Sequence, residues 1–206
     1  MNNIAEFLAK KNIKGFLADD EGQALYDFAL RAENLGPCLE IGSYCGKSAV
    51  YLGSACKVSG NVLFTIDHHC GSEEQQPGQA YFDKQLFDVK TQRINSFPHL
   101  QKTLQLADLS DCVIPVVAAS QLVCRFWQET LGLVFVDGGH SHHEAMADCE
   151  NWARRVAPGG FLAVHDIFSQ PEMGGQGPYL ALQQVLSSGE FTKLARVNSL
   201  EILQRI

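Results

Sequence analysis

The 206-residue chain has no run of lysine or arginine, and its formal charge is −7. A nucleic-acid backbone or an anionic membrane needs clustered cations. Neither is expected as the main partner, and the charge says nothing about a small-molecule substrate. No apolar run approaches the roughly 20 residues of a membrane span. Met1 to Lys11 carries Glu6 and a short amphipathic pattern rather than a basic stretch followed by an apolar core, so no signal peptide is expected there. Cysteine occurs seven times but never as a C-x-x-C pair. The odd count, and the apolar surroundings of Cys38, Cys56, Cys112, Cys124 and Cys149, favour reduced thiols in a cytoplasmic protein and speak against an all-cysteine zinc site. Internal repeats and low-complexity tracts are also missing. With 46% apolar and 19% charged residues, the chain suits a single domain over 1–206 with a sizeable core.

What is present is an alternation. Two helices are expected in 1–36, from the stripe Ile4, Phe7, Leu8 and the stripe Leu25, Phe28, Ala29, Ala32, ended by Gly36-Pro37. Short apolar runs then recur at Cys38–Ile41, Val62–Ile66, Val113–Val117, Leu133–Val136 and Phe161–Val164. They lack strict polar alternation, as strands buried on both faces of a parallel sheet do. The segments between them supply the crossover helices that parallel strands require. One such helix has Ala145, Met146, Cys149, Trp152, Ala153 and Val156 on one face, a capping box from Ser141 and Glu144, and a stop at Pro158-Gly159-Gly160. Trp127 and Trp152 read as packing residues. The terminal region 190–206 reads as a hairpin, Phe191–Val197 and Leu200–Gln204 around Asn198-Ser199, which adds an antiparallel end. Region 68–108 holds an insertion followed by a helix. Its irregular part, His68 to about Phe82, carries Glu73, Glu74 and Gly78 and is either a lid or a plain surface insertion.

In an open parallel sheet, ligands bind beyond the carboxyl ends of the strands. The first such turn reads Glu40-Ile-Gly-Ser-Tyr-Cys-Gly-Lys-Ser48. Gly42 and Gly46 allow a tight turn and close backbone approach, and the next helix start offers free N–H groups. Gly46-Lys47-Ser48 imitates the end of a phosphate loop, but G-x-x-x-x-G-K-S/T needs its first glycine at Ile41. Tyr44 and Cys45 break the G-x-G-x-x-G of dinucleotide sites. The remaining pattern, an acid followed by G-x-x-x-G, resembles the first motif of class I S-adenosylmethionine-dependent methyltransferases.

The likeness extends along the chain. Asp67 ends the second strand. Ala118-Ala119-Ser120-Gln121 follows the third and is similar to a G-A-S-Q segment of catechol-type O-methyltransferases. The fourth ends Asp137-Gly-Gly-His140, and the fifth ends His165-Asp166. This order resembles a group of small bacterial class I methyltransferases over roughly residues 20 to 205. The resemblance implies a Rossmann-like α/β fold: a seven-stranded, mostly parallel sheet, an antiparallel C-terminal strand, and helices on both faces. It implies S-adenosylmethionine as cofactor, bound by Glu40, Gly42, Ser43, Gly46, Lys47, Ser48, Asp67, His68, Ser120, Gln121 and Asp137. It does not identify the acceptor. A small hydroxylated molecule is expected, and a homodimer is compatible with the reading.

His68, His69, Asp137, His140, His165 and Asp166 all fall at strand ends and should share one rim, with His142 and His143 on a helix surface. Two chemistries are open. Asp137, His165 and Asp166 could hold Mg²⁺ or Mn²⁺, the resemblance placing metal-binding acids at Asp137 and at the His165-Asp166 pair. Alternatively His140 or His165 acts as a general base without metal, since imidazole titrates near neutral pH; catalytic candidates are thus His140, His165 and Asp137. Methyl transfer needs positioning rather than a covalent nucleophile, so neither Cys45 nor Cys70 is assigned one. Gln176 and Tyr179, after the fifth strand, are candidates for the acceptor pocket. An NAD-linked oxidoreductase and a non-catalytic adenosylmethionine-binding protein are the competing functions.

Overall fold

The computed structural model describes residues 3–206; the part of the N-terminal expectation that falls on Met1 and Asn2 lies outside them. Two helices open the chain, α1 (Ile4–Lys11) and α2 (Asp19–Arg31). The side chain of Asn3 caps α1 by accepting Glu6 N–H at 3.1 Å, one of the donors that a helix start leaves without a partner. Then come β1 (Cys38–Ile41), α3 (Lys47–Ser59), β2 (Leu63–Asp67), the short pair β3 (Phe87–Asp88) and β4 (Arg93–Ile94), α4 (Phe97–Leu106), β5 (Val113–Val117) and α5 (Ser120–Cys124). The remainder is β6 (Leu131–Val136), α6 (His142–Ala153), β7 (Val156–Val164), α7 (Gly177–Ser187), β8 (Phe191–Val197) and β9 (Leu200–Arg205).

Seven strands form one sheet in the order β5-β2-β1-β6-β7-β9-β8. The first five neighbours in that row run parallel, while β9 is antiparallel to both β7 and β8. Strand order reverses between β1 and β6, the place where an open sheet leaves a crevice. Apolar side chains alternate between the two faces, as strand geometry dictates. Leu133, Phe135, Phe161 and Ala163 pack into a core built with α1 to α4. Val134, Val136, Leu162 and Val164 pack into a second core with α6 and α7. Trp152 is fully buried in the second core and meets Trp127 edge-on at 5.6 Å, as packing residues.

Two local expectations change. The helix α6 ends at Ala153, not at Pro158-Gly159-Gly160, which lie inside β7. There Leu131 pairs with Val156 and Leu133 with Phe161, so β7 bulges between those rungs. Gly159 has φ +78 at this bulge, and a Cβ on Gly160 would lie 2.8 Å from the Gly132 carbonyl oxygen. Those glycines therefore serve a close strand contact rather than a helix stop. The capping box at Ser141 is half formed: Ser141 Oγ accepts Glu144 N–H at 3.3 Å while donating to the Glu144 carboxylate at 2.8 Å. The small β3–β4 ladder was not foreseen. All seven cysteines are free thiols, and Cys70 alone among them is exposed. No helix among the described residues is long and apolar enough to cross a membrane.

Candidate active site

A cavity of about 250 Å³ opens at the carboxyl ends of the parallel strands. Each strand supplies the residues just past its end: Gly42, Ser43, Tyr44, Lys47 and Ser48 after β1; Asp67 and His68 after β2; Ala118 to Gln121 after β5; Asp137 to His140 after β6; and Asp166 after β7. The β1 turn is possible only with glycine at its start. Gly42 has φ +91, and a Cβ there would lie 2.0 Å from the Asp137 carbonyl oxygen. This contact clamps the β1 turn against the β6 turn across the switch point.

Asp67 stiffens the same turn. Its Oδ2 accepts Tyr44 N–H at 2.9 Å and its Oδ1 accepts His69 N–H at 2.7 Å. Ser43 Oγ is buried without a partner. Two residues expected to touch ligand do not reach the cavity wall, and that expectation is corrected. Gly46 caps α3 and has φ +91; a Cβ on it would meet Leu100 at 2.8 Å. Glu40 is fully buried behind the turn, where Thr65 Oγ1 donates to its Oε2 at 2.5 Å and Oε1 has no partner. Burial pushes the Glu40 carboxyl up to about 7, against the hydrogen bond from Thr65.

At the far end lies the histidine and acid rim. His140 Nε2 is 2.9 Å from Asp166 Oδ2, and its Nδ1 is 3.1 Å from Glu74 Oε2. The hydrogen bond with Asp166 outweighs desolvation and pushes His140 up to about 9. Potential ligand atoms of Asp137, His140 and Asp166 all lie within 4.8 Å of one another. Asp166 has φ +55, an unusual conformation for aspartate that turns it to the rim.

His165, expected as ligand or base, stands elsewhere. It is 5% exposed and does not line the cavity. Both ring nitrogens are engaged: Nδ1 with Asp137 Oδ1 at 3.1 Å, Nε2 with Glu21 Oε2 at 3.0 Å. Desolvation disfavours its charge, but Asp137, Asp166 and Glu21 together push it up to about 12. Covered by α2 and the β8–β9 turn, the ring does not open to the cavity. Its place is behind the carboxylates, holding them. His140 takes the position in the rim set that His165 was expected to fill.

Several site residues had no signal in the sequence. Glu21 reaches from α2 to His165 and also accepts Ser199 N–H at 3.0 Å. Gly15, Phe16 and Leu17, between α1 and α2, line the cavity. Phe16 stacks near Tyr44 (5.6 Å) and Tyr81 (5.5 Å). Ser72, Glu74, Gln75 and Tyr81 bring the 68–82 loop into the wall, which favours the lid over the plain insertion. His69 is buried and shares a 2.7 Å hydrogen bond with Ser96 Oγ through Nδ1, so it braces the loop rather than joining the rim. His142 and His143 are exposed on α6, as expected. Gln176 and Tyr179 are corrected: neither lines the cavity, since Gln176 Nε2 donates to the Phe168 and Gly174 carbonyls and Tyr179 packs on the second core.

A family described as a methyltransferase domain matches residues 39–167 of this chain. Solved structures share the fold. An O-methyltransferase from Bacillus cereus in complex with SAH has a TM-score of 0.66 at 16% identity, covering 100% of this chain and 91% of that one. The O-methyltransferase TomG from Streptomyces achromogenes, in complex with SAM, gives 0.66 at 15% identity, covering 100% and 88%. An SAH-bound methyltransferase from Podospora anserina gives 0.68 at 11% identity, covering 100% and 88%. The chain belongs to the methyltransferase domain family, with the class I S-adenosylmethionine-dependent fold. The oxidoreductase alternative is thereby left without support, in line with the missing third glycine.

Proposed function

We propose that this protein transfers a methyl group from S-adenosylmethionine to a hydroxyl oxygen of a small acceptor, with a divalent cation bound at Asp137, His140 and Asp166. The observation that carries the reading is one continuous cavity that joins the Gly42–Ser48 turn and Asp67 to this rim. The turn suits an amino-acid moiety, because the α3 start offers backbone N–H groups for a carboxylate and Ser43 Oγ is buried with a hydrogen bond to spare. Asp67 is an acceptor for ribose hydroxyls. Ser48, Lys47, His68, Ser120, Gln121 and Asp137 complete the lining. Glu40 acts from behind the turn, tied to the neighbouring strand β2 through Thr65.

The cofactor would supply an electrophilic methyl group, and the cation would lower the pKa of an acceptor hydroxyl beside it. The protein's part is to position them. Two carboxylates and one imidazole fit Mg²⁺ or Mn²⁺, the imidazole favouring Mn²⁺. His165 braces the Asp137 and Asp166 carboxylates, and Glu21 holds His165 in turn. Glu74 ties the lid loop to His140, so loop closure and rim assembly are linked. A cation there would take the place of the proton that Asp166 and Glu74 favour on His140. The acceptor is placed among small molecules because the chain carries a formal charge of −7 and no run of lysine or arginine; Arg125, Arg154 and Arg155 line a cleft beside Gln121.

Calorimetry with SAH and with Mn²⁺ tests the proposal. Wild-type protein is expected to bind both. Asp137→Asn is expected to lose Mn²⁺ and Asp67→Ala to lose SAH. No SAH binding at millimolar ligand would defeat the cofactor reading, and Mn²⁺ binding unchanged by Asp137→Asn would defeat the metal site. Binding of SAH with no methyl transfer to a hydroxylated acceptor would defeat the oxygen-acceptor reading, and none to nitrogen or carbon acceptors either would leave a non-catalytic binding protein.

A further inference from the structure

Resting on that cofactor reading, we propose that Asp148 reads the exocyclic amino group of the donor's adenine and makes the site reject a 6-oxo purine. Asp148 lies on α6 among Ala145, Cys149 and Trp152, which face the second core. A carboxylate only 4% exposed at such a place needs donors around it. Half of it has them. Oδ1 accepts the Ser120 hydroxyl and, at 3.2 Å, Gln121 Nε2. Oδ2 accepts from no donor among the described residues, while Asp148 itself forms part of the cavity wall.

Gly138 points the same way. A Cβ on Gly138 would lie 2.9 Å from Asp148 Oδ2. Any side chain there would press on this oxygen, and both residues line the cavity. The absent side chain leaves the space beside Oδ2 unfilled.

The chemistry of the walls identifies which part of the donor comes here. The β1 turn and α3 start suit the carboxylate of the amino-acid part. The Asp137–His140–Asp166 rim suits the reacting end. What remains is a wall of small and apolar groups, Ile66, Ala118 and Ala119, edged by Ser120, Gln121 and Asp148. That is the surface for a flat base whose edge carries hydrogen-bond donors. The 6-amino group of adenine donates; a 6-oxo group accepts. A lone carboxylate oxygen attracts the first and repels the second, and sites built to bond a substrate N–H discriminate strongly against analogues lacking it.

The test compares SAH with S-inosylhomocysteine, which carries oxygen for nitrogen at that carbon and a proton on the adjacent ring nitrogen, so its donor is displaced from the exocyclic position. Calorimetry on the wild-type protein is expected to favour SAH at least tenfold. Asp148→Asn keeps one acceptor oxygen for Ser120 and Gln121 and presents an N–H donor where Oδ2 stood. It is expected to lose most of that preference or reverse it, with its melting temperature recorded alongside. Equal binding of the two ligands by wild-type protein would overturn the role of Asp148 even if the variant failed to fold. An unchanged preference in folded Asp148→Asn would overturn it while leaving the cofactor reading intact. Binding of neither ligand by wild-type protein would overturn both.

Discussion

Gly42→Ala separates backbone strain from loss of the site, because a matched control exists in the same chain. Gly42 and Gly60 both have positive φ, +91 and +73. An alanine at either position adopts a left-handed conformation, at a cost of about 1–2 kcal/mol. At Gly60 nothing lies within 4 Å of the added Cβ, so strain is the whole cost. At Gly42 the Cβ would lie 2.0 Å from the Asp137 carbonyl oxygen. Ordinary van der Waals separation requires the β1 and β6 turns to part by more than about 1 Å. Asp137 belongs to the rim and Gly42 opens the cofactor turn, so the displacement falls on both halves of the site. A misplacement of about 1 Å costs on the order of 100-fold in the rate of a preorganised site. Gly60→Ala should therefore lower the melting temperature by about 2–8 °C, given about 2–4 °C per kcal/mol for a chain of this size. It should leave SAH affinity at the wild-type value. Gly42→Ala should lose more stability, bind SAH more weakly than wild type, and lose on the order of 100-fold in methyl-transfer rate. Scanning fluorimetry, calorimetry and a methyl-transfer assay on the two variants read this out. Wild-type affinity in Gly42→Ala would refute the clamp between the two turns.

Other perturbations follow from the buried charges and the core. Glu40, pushed up to about 7 from 4.5 by burial, resists ionising in the folded state. Wild-type protein should lose about 3 kcal/mol relative to Glu40→Gln as pH rises from 4.5 through 7, measured by denaturant unfolding; a pH-independent gap would refute the assignment. The Glu21–His165 pair has two edges. Burial acts against the Glu21 charge, but His165, the Ala18 N–H and Ser199 hold the carboxyl down to about 2, so its contribution is present above 4.5 and is lost as pH falls toward 2. His165 is raised to about 12, so its contribution is present below 6.5 and is lost as pH rises toward 12. The stability gap between wild type and Glu21→Gln/His165→Gln should thus be widest from pH 4.5 to 6.5. Removing His165 alone should cost about 3–5 kcal/mol, because Glu21 is left buried and unpaired, and chemical denaturation of His165→Gln checks it. Trp152→Ala should cost about 3–5 kcal/mol, and Trp152→Phe distinctly less, since the indole N–H has no partner to lose; equal costs by the same assay would refute that ordering.

The strands were readable because burial on both faces writes itself as short unbroken apolar runs, at Leu133–Val136 and Phe161–Val164 for example. The β1 turn was readable because only glycine tolerates the backbone at residue 42, so the requirement appears as a letter in the chain. The convergence of Asp67, Ser120, Asp137, His140 and Asp166 followed from the rule that these positions end parallel strands. What sequence spacing could not decide was which of two strand-end histidines faces the cavity. His165 and His140 look alike on paper. In the fold, His165 is covered by α2 and the β8–β9 turn, whose Glu21 and Ser199 lie 144 and 34 residues away in the chain, while His140 stands on an open turn beside Glu74. Asp148 was hidden for a similar reason, as one polar position on a helix read for its apolar face. Local letters encode local conformation and periodic burial. The partners of a buried charge are chosen by packing between distant segments, and only the folded chain brings them together.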